Sequence, residues 1–155
     1  MTVEPISVNT AKEVVTYRHF INGAYVDPLN GEWFDSIDPY RNEVWARIPR
    51  GSAADIDNAV AAAKCAMTEG PWATMTPSVR GKLMRRLGDL VAENAERLAK
   101  IEVRDNGKLM SEMLGQLRYH PEWWYYFAGL ADKIEGSVIP VDKPDHFAFT
   151  DHEPV

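Results

Sequence analysis

The sequence predicts an α/β chain, and three observations carry that prediction. Short runs rich in β-branched and aromatic residues, with apolar and polar positions alternating, fill 17–48. From Ser52 the apolar repeat lengthens to the 3.6 residues of a helix, and it persists to about residue 136. Two short β-rich runs then return at 138–139 and 147–150.

Each element has a local reason. Residues 1–16 are polar and aperiodic, a loose lead-in. Strands at 17–21 and 24–26 are joined by Asn22-Gly23, two residues that tolerate the positive φ of a tight hairpin turn. Strands at 33–37 and 44–48 flank 38–43, where Pro39 presets a turn and Asn42 suits a left-handed position. Val44, Ala46 and Ile48 alternate with Trp45 and Arg47, so one face of that strand should be covered.

Ser52 and Asp55 have the spacing of a capping box, opening a helix with Ile56, Ala59, Val60, Ala63 and Met67 on one stripe. Gly70-Pro71 stops it. Thr76-Pro77 opens a second, where the missing N–H of proline does no harm, with Val79, Leu83, Leu87, Leu90 and Val91 as the apolar face. A third runs from Asn94 to Asn106-Gly107, with Leu98 and Ile101 inward. A fourth runs from about Ser111 to Glu135, kinked or restarted at Pro121 and closed by Gly136. Five consecutive rings, Trp123 to Phe127, point all round that helix. Each ring is worth roughly 1.5–3 kcal/mol on leaving water, so the helix should be covered on more than one side.

Composition narrows the function classes. At 45% hydrophobic and 26% charged, the chain has the make-up of an ordinary soluble protein of about one domain. Seventeen basic residues against 23 acidic ones leave −6, which repels nucleic-acid backbones and anionic membranes. The longest apolar run, 123–130, falls far short of a membrane span. One cysteine excludes an internal disulfide framework, and the first nine residues lack the basic and apolar regions of a secretory signal. A cytoplasmic, reducing location follows.

Chemistry-bearing motifs are sparse. Cys65 lies on the polar side of its helix with no histidine at helical spacing, and reads as an incidental thiol. His19, His120, His146 and His152 are scattered, and two imidazoles without a third ligand make a poor zinc site. The glycines never adopt the G-x-G-x-x-G spacing of a dinucleotide loop.

A series of short segments nevertheless resembles the N-terminal part of the aldehyde dehydrogenase superfamily. In order they are Phe20-Ile21-Asn22-Gly23, Asp38-Pro39 with Glu43-Val44, the run 55–63, Pro71-Trp72, Arg80-Gly81-Lys82-Leu83 with Leu87-Gly88-Asp89-Leu90, Asp105-Asn106-Gly107-Lys108, the run 126–134, and Glu153-Pro154-Val155. Each is weak alone; eight in order over nearly the whole chain are strong. The resemblance implies amphipathic helices covering a Rossmann-like cofactor domain, with 17–136 the N-terminal portion of that domain. Residues 137–155 would be the start, cut short, of the bridging strands through which such enzymes form homodimers or tetramers.

The implied activity is oxidation of an aldehyde to a carboxylic acid with NAD or NADP. In the family a cysteine thiolate forms a thiohemiacetal, an asparagine and a backbone amide hold its oxyanion, and a glutamate activates water. Those residues and the cofactor loop match nothing in these 155, so the chain alone is expected to be inactive. The resemblance also implies a monovalent-cation half-site at Ile37 and Asp105, and substrate-channel positions at Gln116, His120 and Trp124. An alternative reading is a non-catalytic, truncated interaction protein that assembles with full-length subunits.

Overall fold

The computed structural model describes residues 14–153, and the chain divides into two compact units. One takes the chain up to Thr74 together with Ala95–Leu117; the other takes Met75–Asn94 with Arg118–Val155.

In the first unit a three-stranded sheet has the order β1-β5-β4, from β1 (Val15–Thr16), β4 (Trp33–Asp38) and β5 (Glu43–Pro49). β4 and β5 are antiparallel, while β1 joins β5 in parallel with Val15 opposite Ala46. Strand β1 falls inside the stretch read as a loose lead-in; residues 1–13 of that stretch lie outside the described residues. A separate hairpin pairs β2 (His19–Ile21) with β3 (Ala24–Val26). Its turn residues Asn22 and Gly23 have φ of 53° and 77°, the double positive φ of a tight two-residue turn. Asn42 also has positive φ, 55°. The β4–β5 connection is fixed by Asp38, whose Oδ1 accepts hydrogen bonds from the amides of Tyr40 and Arg41 at 3.0 and 3.1 Å.

Helix α1 (Ala53–Thr68) begins at the expected capping box. Asp55, buried, accepts from the Ser52 amide and hydroxyl at 2.8 and 2.7 Å, and from the Leu29 amide at 3.1 Å. That third bond ties the loop after β3 to the start of α1. The α1 stripe is open, with Ile56 58% and Val60 60% exposed. The short helix α2 (Pro71–Thr74) follows the Gly70-Pro71 stop. Helix α4 (Ala95–Asn106) starts one residue later than expected, because Asn94 instead ends the preceding helix, its amide side chain donating to the Leu90 carbonyl.

The second unit holds α3 (Pro77–Glu93), the later part of α5 (Met110–Leu130) and an antiparallel ladder of β6 (Val138–Ile139) with β7 (Ala148–Phe149). The buried residues of α3 are glycines, and Val79, Leu83, Leu87 and Leu90 are exposed. The reason is steric. A Cβ on Gly81 would stand 2.7 Å from the Ala128 carbonyl oxygen, and one on Gly88 would stand 2.7 Å from the Tyr125 ring. The two helices therefore meet along the glycines, and the leucine face is left free.

Helix α5 stops at Leu130, five residues before the expected end. Pro121 lies inside it. Gly136 does not close the helix; a side chain there would collide with the Thr150 carbonyl beside the β6–β7 ladder. The expected all-round covering of the aromatic run is also corrected. Pro121 and Ala128 are buried and Trp124 and Tyr125 half-buried, but Trp123, Tyr126 and Phe127 are more than half exposed.

Candidate functional site

Ile37 and Asp105 are brought into one neighbourhood by a β-bulge and a helix end. Ser36 pairs with Ala46 but Ile37 pairs with Val44, so Trp45 is the extra residue of β5. Trp45 is buried, 4% exposed, next to the equally buried Ala46, while Val44 is exposed, so the bulge interrupts the alternation read from the sequence. Its indole Nε1 donates to Ser36 Oγ at 3.1 Å, and Ser36 Oγ donates to Asp105 Oδ1 at 2.6 Å. The Arg104 guanidinium lies 5.4 Å from the Trp45 ring centroid, and the Tyr17 ring meets Trp45 edge-on at 6.0 Å. Burial pushes the Tyr17 phenol above its ordinary 10.0, against the pull of Arg97 and Arg104.

Asp105 sits in the last turn of α4, where the helix dipole is negative and a carboxylate is least at home. Gly107, with φ of 75°, ends that helix; a Cβ there would stand 2.8 Å from Pro39 Cγ. The helix end is thus seated on the turn between β4 and β5. Ser36, missed in the sequence, is the residue that links the two candidates. The only signal for it was a hydroxyl beside Ile37 in an otherwise ordinary strand.

Gln116, His120 and Trp124 recur every fourth residue on α5 and so share one face of that helix. Gln116 and His120 are exposed, and Trp124 is half-buried. The rings of His120 and Trp124 are edge-to-face at 5.9 Å. Trp124 Nε1 is buried and has no hydrogen-bond partner among the described residues.

Cys65 is exposed on α1, its thiol 3.7 Å from Glu69 Oε2. The His146 imidazole Nδ1 is 2.8 Å from the Pro144 carbonyl. Among the described residues no group of three or more His, Cys, Asp or Glu could hold a metal ion. Among the described glycines, Gly107 packs on Pro39, Gly136 faces Thr150, and Gly115 and Gly129 lie within α5. Among the described residues no helix is long and apolar enough to cross a membrane.

This succession of hairpin, bulged sheet and glycine-packed helices is matched in known proteins. The model of the aldehyde dehydrogenase family covers residues 25–155. The chain belongs to the aldehyde dehydrogenase family. It is 45% identical over 139 residues to (Z)-2-((N-methylformamido)methylene)-5-hydroxybutyrolactone dehydrogenase of Acinetobacter baylyi, covering 90% of this chain and 28% of that protein. Aldehyde dehydrogenase family 2 member B4, mitochondrial, of Arabidopsis thaliana is 38% identical, over 96% of this chain and 28% of its own length. The NAD+ complex of an aldehyde dehydrogenase from Bacillus cereus superposes with a TM-score of 0.85 at 38% identity, over 92% of this chain and 29% of that one. The chain therefore spans little more than a quarter of the length of each of these three proteins, and its fold is the α/β N-terminal part of the aldehyde dehydrogenase fold.

Proposed function

We propose that this chain supplies the N-terminal part of an NAD(P)+-dependent dehydrogenase that oxidises an aldehyde to a carboxylic acid, and that it has no such activity by itself. The observation that carries the reading is the ordered match over nine-tenths of the chain at 45% identity to a dehydrogenase. The NAD+ complex of the Bacillus cereus relative supports a nicotinamide cofactor. The sparse chemistry of these residues supports inactivity alone: the one thiol is an exposed group 3.7 Å from the Glu69 carboxylate. No feature among the described residues selects the reading as a non-catalytic assembly partner.

The test is a chimera in which this chain replaces the matching segment of the Bacillus cereus enzyme. NADH formation from a panel of aldehydes should be retained by the chimera and absent from the 155-residue chain. A chimera that folds and binds NAD+ but turns over no aldehyde would overturn the proposal. Turnover by the chain alone, free of any longer contaminant, would overturn its second half.

Two finer assignments belong to the same reading. Asp105, with the backbone at Ile37, forms half of a monovalent-cation site; the seat of the helix end on the β4–β5 turn and the negative dipole at Asp105 support it. Replacing choline by sodium or potassium should raise the melting temperature of the chimera but not of its Asp105→Ala variant; equal melting in all three salts would sink the idea. Gln116, His120 and Trp124 line the substrate channel, supported by their common face on α5. Trp124→Ala should shift KM between small and bulky aldehydes, and a uniform change across the panel would argue against it. The β6–β7 strands are the start of an arm that joins subunits in a dimer or tetramer, which the mass of the chimera in solution tests. We place the chain in the cytoplasm on the strength of its single, free cysteine, which suits a reducing compartment, and fractionation of native cells would test it.

A further inference from the structure

We draw no further inference here: the strongest candidate, the apolar face of the β6–β7 hairpin with Val138, Phe147 and Phe149 exposed, carries nothing because nothing in the structure shows what covers it.

Discussion

Expressed alone, the 155-residue chain should not unfold as one cooperative unit. On three helices the large apolar side chains stand open: Ile56 58% and Val60 60% exposed, Leu83 49% and Leu87 42%, Trp123 53% and Phe127 52%. Each such side chain is worth roughly 1.5–3 kcal/mol when fully covered, so leaving six of them about half open forgoes on the order of 5–9 kcal/mol. That is comparable with the whole stability of a typical domain, about 5–15 kcal/mol. The expected behaviour is strong binding of an apolar dye, weak near-UV circular dichroism and a broad urea transition of low slope. A single sharp transition, coincident in near- and far-UV signals and without dye binding, would refute the reasoning.

Three further outcomes are expected of variants in the chimera. Gly81→Ala places a methyl 2.7 Å from a backbone carbonyl; overpacking of about 1–3 kcal/mol exceeds the roughly 1 kcal/mol gained in helix propensity. Gly115→Ala, with nothing within 4 Å, keeps only the gain, so the two denaturation midpoints should move in opposite directions. The Asp55 carboxylate is held below its ordinary 3.8 first by the Ser52 hydroxyl, then by the Ser52 amide and, after the opposing effect of burial, by the Leu29 amide. Its stabilising contribution is therefore present above about 3.8 and lost as pH falls through the lower folded value, and Asp55→Asn should flatten the acid limb of the stability curve. The Tyr125 phenol is raised above 10.0, mainly by its 2.9 Å hydrogen bond to Asp89 and secondarily by burial. That contribution is present below about 10 and lost as pH rises through the folded value; Asp89→Asn should bring the phenol's absorbance titration to lower pH, and an unmoved titration would argue against the bond.

The features legible in the sequence are those whose cause lies within about four residues. Asn22-Gly23 adopts the hairpin turn, Ser52 and Asp55 form the capping box, and Pro77 opens α3 because backbone chemistry at each place admits little else. What escaped depends on distant partners. Val15 and Thr16 become a strand only because β5 offers its edge some thirty residues on, and two residues carry no period. The leucines of α3 gave the stronger amphipathic signal, yet its glycines decide which side meets α5, since only they let the backbones approach. In the candidate site, Asp105 and Ile37 came from resemblance, and the hydroxyl that joins their elements spans 69 positions of sequence. No periodicity reports such a bond.

These two classes of signal divide the labour of folding unequally. Among the described residues, prolines and glycines aside, the buried apolar residues are Trp45, Ala46, Ala95, Ala99, Met113 and Ala128, and four of the six are alanines. Alanine brings backbones together but removes little surface from water, whereas each large apolar side chain is worth roughly 1.5–3 kcal/mol when covered. Here Ile56 and Val60 of α1, Leu83 and Leu87 of α3, and Trp123 and Phe127 of α5 are exposed. Caps and turns can therefore decide where each helix and hairpin begins and ends, but they contribute only about 0.5–2 kcal/mol apiece. They cannot supply the burial that the open faces withhold. The elements are encoded locally, and the free energy that would hold them depends on whatever surface comes to lie against those faces.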